Sequence, residues 1–287
     1  MADQESGNGG VTAGGSSTST QNTQYDKIGS KYNKIKTLPA TEPEVPSVLK
    51  ALGGIKGKRC LDLACGTGKY TSLLLSHGAS SVHAYDISPA MISAAQTTYP
   101  PSTYPNLHFS VADCSIPGTL PHSSPSSSSS DEKFDIVFAG WFLNYAGTRR
   151  ELTNMFRVIE ESLAPPRQGE EGGRFIGVTT NVHDALMHLE KLNFYGLDVL
   201  VLDPHYKEEE EGEVLGIKAR VVVQGETPFQ FDVFQFRREV YERCAEEAGL
   251  RLRWREVVVP EDERREGGYW ERFLERPTFV VVEAVRA

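Results

Sequence analysis

The residues best suited to chemistry lie in a glycine-containing turn after a short apolar segment. Residues 59–64 have the length and composition of a buried strand, and Cys65-Gly66-Thr67-Gly68 follows directly. The pattern of Lys69–Ser76 then predicts a helix. Glycine lets a ligand approach the backbone closely, and the first turn of a helix offers unpaired N–H groups. The turn is therefore a candidate binding site, although a Gly-x-Gly turn alone is a weak signal.

Two acidic residues and one threonine narrow the choice of ligand. Asp86 lies 20 residues after Gly66 and ends the predicted strand 81–85, and Asp113 follows the predicted strand 107–111. A carboxylate at the end of the second strand can accept hydrogen bonds from both ribose hydroxyls. Thr71 replaces the third glycine of the dinucleotide fingerprint, which disfavours NAD. The predicted ligand is therefore a nucleoside that lacks a pyrophosphate.

Strands and helices alternate along most of the chain, which predicts an α/β fold with a mainly parallel sheet and covered faces. The last two predicted strands, 250–259 and 278–285, have only a short charged segment between them, which favours an antiparallel pair at the sheet edge. The other predicted strands are 59–64, 81–85, 107–111, 134–139 and 174–180, and the helices are 69–76, 89–98, 149–163 and 237–248.

Residues 181–236 interrupt this alternation. The pattern predicts a helix at 185–192, an extended segment at 197–202, and a hairpin of 214–224 with 228–236. We interpret the segment as an inserted α+β cap over the carboxyl ends of the sheet. The polar composition of 1–24 predicts a disordered tail, and the serine-rich segment 121–132 a surface loop, within a domain that spans 25–287.

Charge and cysteine content exclude several classes of protein. The formal net charge of −9 argues against nucleic-acid binding, which needs basic residues to neutralise phosphates. The sequence contains no signal-peptide pattern and no apolar segment long enough to span a membrane. Four scattered cysteines form neither a metal-site pattern nor a disulfide framework. A cytoplasmic protein with reduced thiols and no metal or membrane partner is expected.

Four segments in the expected order resemble the signatures of class I S-adenosylmethionine-dependent methyltransferases. Residues 61–68 are similar to the first signature, 84–91 to the second, Ala112-Asp113 to the third and 134–138 to the fourth strand. The resemblance implies a Rossmann-like fold with a seven-stranded sheet. Residues 25–32 resemble the opening segment of the ubiquinone/menaquinone methyltransferase-like group. The whole sequence also looks like fungal methyltransferases of specialised metabolism.

The resemblance implies S-adenosyl-L-methionine as the cofactor. Asp86 would bind the ribose, Asp113 would accept from the adenine amino group, and Asp62 would either bind the cofactor's amino group or fix the turn. Two tyrosines before the sheet would close over the cofactor or else pack an N-terminal helix onto the domain. The predicted cofactor-binding residues are Tyr25, Tyr32, Asp62, Ala64, Gly66, Gly68, Asp86, Ile87, Met91, Asp113 and Cys114.

The acceptor side is predicted from the segments after the fourth and fifth strands. Trp141, Asn144 and Tyr145 are expected to line the acceptor pocket, and His183 is the candidate general base because histidine titrates near neutral pH. A base is needed only if the nucleophile carries a proton. Residues 139–142 lack the Asn/Asp-Pro-Pro-aromatic motif of the enzymes that methylate amino groups of nucleic acids.

The predicted function is N- or O-methylation of a small molecule in a secondary-metabolite or mycotoxin pathway, by a monomer or homodimer. Two alternatives remain open from the residues. One is a peptide or protein methyltransferase, which would need an open groove. The other is a non-catalytic, cofactor-binding regulatory protein.

Overall fold

The computed structural model describes residues 35, 37–121, 133–166, 169, 171–208, 212–225 and 228–287. The predicted tail at 1–24, Tyr25, Tyr32 and positions 122–132 of the serine-rich loop lie outside these residues.

Eleven strands form two sheets in the described residues. The larger sheet has seven strands in the order β10-β11-β5-β4-β1-β2-β3, and only β11 runs antiparallel to its neighbours. This arrangement confirms the predicted mainly parallel sheet with an antiparallel edge pair. The strands are β1 (Arg59–Leu63), β2 (Ser81–Asp86), β3 (Leu107–Val111), β4 (Ile136–Gly140), β5 (Arg174–Thr180), β6 (Lys191–Phe194), β7 (Leu197–Lys207), β8 (Val214–Val223), β9 (Phe229–Phe236), β10 (Leu250–Arg255) and β11 (Phe279–Arg286).

Helices cover both faces of the seven-stranded sheet, and local sequence signals explain where two of them begin. Ser88 caps the helix that starts at Pro89, and Thr148 with Glu151 forms a capping box at the start of the longest helix. The helices are α1 (Glu44–Leu52), α2 (Lys69–Ser76), α3 (Pro89–Thr98), α4 (Arg149–Ser162), α5 (Arg238–Glu247), α6 (Glu263–Glu266) and α7 (Glu271–Glu275), with 3₁₀ turns at Pro39–Thr41 and Leu143–Tyr145.

Apolar residues from both faces of the sheet and from the helices form the core. Leu61 and Val137 face the cluster that contains α4, whereas Cys60 and Phe138 face the opposite cluster. This alternation along β1 and β4 is expected for strands that are covered on both sides. Among the described helices, none combines the length and the hydropathy that a bilayer crossing requires.

The strand order creates a crevice at the carboxyl ends of β1 and β4. Strand β1 pairs with β2 on one side and with β4 on the other. The chain therefore adds β2 and β3 on one side of β1 and then returns to add β4 on the opposite side. Parallel sheets bind ligands at such a switch point. The turn that follows β1 and the 3₁₀ turn that follows β4 are therefore brought next to each other.

The insertion forms a four-stranded antiparallel sheet in the order β6-β7-β8-β9, and the β8–β9 pair confirms the predicted hairpin. The helix predicted at 185–192 was wrong. Residues 182–189 form turns, in which the Asp184 carboxylate accepts a hydrogen bond from the Leu186 backbone. Leu186 and Leu189 are 45% and 49% exposed, so the apolar spacing that suggested a helix is not buried against the domain.

Candidate functional site

The turn after β1 has a left-handed backbone at several positions. Gly66 has φ 55°, and a Cβ added there would meet no atom within 4 Å, so its backbone faces open space. Gly68 has φ 84° and precedes α2, and its Cβ would lie 3.0 Å from the Tyr99 ring. Ala64 also adopts a positive φ of 54°, which is costly for a residue with a Cβ. Gly66 therefore leaves room for a ligand, whereas Gly68 allows close packing beneath the turn.

Asp86 connects this turn to the end of β2. Its Oδ2 accepts a hydrogen bond from Gly66 N at 2.8 Å, and its Oδ1 accepts from Ser88 N at 2.9 Å. The side chain is therefore fixed in direction. A carboxylate oxygen can accept more than one hydrogen bond, so Asp86 can bind the two hydroxyls of a ribose while holding the turn.

Asp62 lies beneath the turn and is 1% exposed. Its Oδ2 accepts a hydrogen bond from the Thr71 hydroxyl at 2.6 Å. Burial raises the pKa of Asp62 to about 7, although the bond from Thr71 opposes the shift. Thr71, which stands where a dinucleotide-binding turn has its third glycine, therefore holds a buried carboxyl group in place.

Most predicted cofactor-binding residues line one cavity at the carboxyl ends of β1 to β4, here called the strand-end cavity. Met91 is buried at its wall and Ile87 is half exposed. Asp113 Oδ1 accepts from the backbone N–H and hydroxyl of Ser115, at 2.9 and 2.6 Å. The predicted residues that line the cavity are Ala64, Gly66, Asp86, Ile87, Met91, Asp113 and Cys114.

A second cavity, here called the cap cavity, lies between the turn and the inserted sheet. It encloses about 1150 Å³ between protein atoms, part of which is open to solvent. Asp62 and Thr67 contribute from the turn side. The wall formed by the inserted sheet is apolar, and consists of Leu197, Val199, Ala219, Val221, Phe231 and Val233.

The two cavities meet at residues from the ends of β1 and β4. Trp141 has φ 61°, and its backbone N–H donates to Val178 O at 2.8 Å, which directs its indole to this junction. Burial raises the pKa of the Tyr145 phenol well above its usual range, so the hydroxyl stays protonated. The lining residues that the two cavities share are Ala64, Gly66, Gly140, Trp141 and Tyr145.

Sequence reasoning missed a buried carboxylate in the cap cavity. Glu44 on α1 is 2% exposed and accepts hydrogen bonds from Lys69 Nζ at 2.7 Å, from the Tyr70 hydroxyl and from Trp141 Nε1 at 3.1 Å. Three donors compensate the burial of the charge. Lys69 and Tyr70 directly follow the glycine turn, so their position in the sequence could have indicated that they lie at the site. Nothing in the sequence around Glu44 indicated its role.

Two of the predicted acceptor-side residues lie away from the cavities. His183 lines neither one: its backbone N–H donates to Asn181 Oδ1, and its exposed ring lies edge-on to Trp254 at 5.9 Å. The turn at Asn181 therefore directs this ring to the other side of the sheet edge. Asn144 is fully buried behind the junction, and within the described part of the chain neither of its amide atoms has a hydrogen-bond partner. Trp141 and Tyr145 are the predicted acceptor residues that the structure brings to the site.

Sequence comparison matches this part of the chain to a known family. Residues 60–165, which include the glycine turn, Asp86, Asp113 and the residues after β4, match the family model described as a methyltransferase domain. This segment of the chain is therefore similar to methyltransferase domains. An uncharacterized protein of Haemophilus influenzae is 38% identical over 77 residues, which are 25% of this chain. The match spans 30% of the length of that relative.

Solved structures show the same fold over most of the chain. An S-adenosylmethionine-dependent methyltransferase from Mesorhizobium loti has a TM-score of 0.55 and 16% identity, over 85% of this chain and 98% of that one. SAM-bound CalS10 from Micromonospora echinaspora, an amino pentose methyltransferase involved in calicheamicin biosynthesis, has a TM-score of 0.51 and 16% identity, over 92% and 98%. The fold is thus that of S-adenosylmethionine-dependent methyltransferases.

Proposed function

We propose that the chain is an S-adenosylmethionine-dependent methyltransferase that methylates a nitrogen or oxygen atom of a small molecule. The observation that carries this proposal is the pair of cavities that meet at Gly66, Gly140 and Trp141. One cavity has the groups that a nucleoside needs, and the other has an apolar wall formed by the inserted sheet. A methyl group held at the junction would be accessible from the cap cavity.

The residues of the strand-end cavity fit S-adenosylmethionine. We propose that Asp86 binds the ribose hydroxyls, that Ile87 and Met91 contact the adenine faces, and that Asp113 accepts from the adenine amino group. The open space at Gly66, where a Cβ would protrude, is the place for the methionine half. Asp62 lies beneath that place and is suited to an ammonium group.

The bound cofactor supplies an electrophilic methyl group on a sulfonium, so the chain itself has mainly to position the acceptor and exclude water. The indole of Trp141 and the phenol of Tyr145 line both cavities at the junction, where they can position the acceptor. The carboxylate of Glu44 already accepts three hydrogen bonds, which makes it a poor general base. We therefore infer an acceptor that reaches the site as a neutral amine or as an easily ionised hydroxyl.

A small molecule fits the cap cavity better than a peptide does. Among the described residues, the inserted sheet forms one wall of the cavity beside Trp141, whereas an extended peptide needs an open groove or a free sheet edge. The named activity of CalS10, methylation of an amino pentose, is of the same small-molecule class. We further propose a role in specialised metabolism and a location in the cytoplasm.

Calorimetric titration tests the cofactor assignment. S-Adenosylmethionine and S-adenosylhomocysteine should bind with micromolar affinity and NAD should not. Asp86→Ala should weaken S-adenosylhomocysteine binding about tenfold or more, because it removes a charged hydrogen-bond acceptor that contributes roughly 1.5–3 kcal/mol. Glu261→Ala, in a side chain that is 86% exposed, is the matched control and should bind like the parent. NAD binding without any response to S-adenosylhomocysteine would overturn the proposal.

A further inference from the structure

Besides the polar groups near the glycine turn, the cap cavity has a second polar end farther from that turn. Lys191, at the start of β6, and Gln235, near the end of β9, are 7% and 6% exposed and both line the cavity. Thr180 at the end of β5 and Thr278 before β11 line it as well. Apart from this end, the inserted sheet presents only apolar side chains to the cavity.

A hydrogen-bond network holds these polar groups together. Lys191 Nζ donates to Asp184 Oδ2 at 2.8 Å and to Pro277 O at 3.4 Å. Asn181 Nδ2 also donates to Pro277 O, at 3.2 Å, and Gln235 Nε2 donates to Asn181 O at 2.6 Å. Lys191 and Gln235 are therefore fixed next to each other by contacts to the same short segments.

The charge balance at this end favours an anion. Arg276 donates to Asp184 at 3.1 and 3.2 Å, so one carboxylate faces two cations. An ammonium group has three donors, and the two contacts of Lys191 leave its third N–H for a ligand. Glu44, a carboxylate that lines the cavity near the glycine turn, is paired with Lys69. A buried cation with a spare donor is costly unless an acceptor satisfies it.

The sheet order shows how far this end lies from the reacting centre. Going from the turn after β1 towards Lys191, the cavity passes the ends of β4, β5 and β11. Neighbouring strands are about 4.8 Å apart, which places Thr180 and Thr278 roughly 10 to 14 Å from Gly66. A group bound at this end is thus separated from Gly66 by about the length of an aromatic ring and its substituents.

We propose that Lys191, with Gln235 beside it, binds a carboxylate group of the acceptor. The acceptor is then an apolar or aromatic acid that carries its methylated nitrogen or oxygen at the opposite end, towards Trp141. This inference rests on the proposed function, because it assigns the cap cavity to the acceptor. Lys191 is a specificity-determining residue and does not touch the atom that receives the methyl group.

The test compares acids with their own amides. The protein is saturated with S-adenosylhomocysteine, and binding of 4-hydroxycinnamate, 4-aminobenzoate and indole-3-acetate, each paired with its primary amide, is measured by calorimetry up to millimolar concentration. At least one acid should bind about tenfold or more tightly than its amide, since hydrogen bonds to charged groups are the stronger ones. Equal binding of acids and amides, or no binding of any acid, would refute the assignment.

Variants test whether Lys191 causes the preference for acids over amides. Lys191→Met should abolish the preference for the acid, and Lys191→Gln, which can keep the bonds to Asp184 and Pro277, serves if the first variant does not fold. Lys218→Met, on β8 outside the cavity lining, changes the net charge equally and should retain the preference. A preference that survives both Lys191 variants would leave the residue with a purely structural role. Failure of S-adenosylhomocysteine to bind the parent would instead overturn the proposed function itself.

Discussion

Replacing Asp62 with asparagine changes how the stability of the protein depends on pH. The side chain is 1% exposed, and burial raises its pKa from 3.8 to about 7 even though the Thr71 hydroxyl donates to it. Ionisation of this group therefore opposes folding. Asparagine cannot ionise, and its Oδ1 can still accept the hydrogen bond from Thr71. The substitution removes the charge while preserving the contact.

The sign and size of the effect follow from proton linkage. Between about pH 4 and pH 7 the folded chain holds a proton on Asp62 that the unfolded chain has lost, so the stability falls as the pH rises. The stabilisation that comes from the proton on Asp62 is complete below pH 4. It is lost by the time the pH has passed the folded-state pKa near 7. A shift of about three pKa units corresponds to at most about 4 kcal/mol. Asp62→Asn should therefore gain up to about this much relative to the parent as the pH rises.

Urea unfolding at a series of pH values between about 4 and 8 measures this difference. The free energies of unfolding of the parent and of Asp62→Asn should be similar at the acidic end and should diverge in favour of the variant towards neutral pH. Glu261→Gln, in an exposed side chain, should give a curve parallel to that of the parent. Parallel curves for Asp62→Asn would show that the carboxyl group titrates normally and would refute the effect of burial.

The glycine turn and the Glu44 cluster give two further predictions. Gly66→Ala should weaken S-adenosylhomocysteine binding at least about tenfold in calorimetry while costing about 1–2 kcal/mol of stability, because its Cβ enters the cavity junction at a positive φ. Gly68→Ala should affect S-adenosylhomocysteine binding less and the free energy of unfolding more than Gly66→Ala does, because its Cβ meets the Tyr99 ring. Glu44→Gln should lower the urea-unfolding free energy by about 1–3 kcal/mol, since Lys69 and Trp141 lose a charged partner; an unchanged midpoint would contradict the cluster.

The parts of the site that depend on short stretches of sequence could be predicted. A strand followed by Gly66 and then a helix is a local pattern, and Asp86 is recognisable because it ends the next strand. Both occupy the expected positions, and Asp86 accepts from Gly66 N. Glu44 could not be found in this way. Its bond to Trp141 joins residues 97 positions apart, and only the packing of α1 against the sheet brings them together.

The acceptor-side predictions show a second limit, which concerns the direction of side chains. The segment after β5 was expected at the site, and its Thr180 does line the cap cavity. His183 lies only three residues later, but the turn at Asn181 sends its ring towards Trp254. The helix predicted at 185–192 failed for a related reason, because Asp184 is fixed by Lys191 and Arg276 rather than by helical neighbours. Arg276 comes from a distant part of the chain, 92 positions after Asp184.

The inserted sheet explains why a predicted hairpin still leaves the acceptor unidentified. Alternation along a strand predicts which side chains share a face, but the register between strands decides which of them become neighbours. Here Val199, Val221 and Phe231 form one row across β7, β8 and β9, next to the pair formed by Ala219 and Val233. A shift by one residue would bring side chains of the opposite face into this wall, among them the paired Arg220 and Asp232. The shape of the cap cavity therefore depends on strand register, whereas the position of Lys191 depends on how β6 packs against the segment before β11.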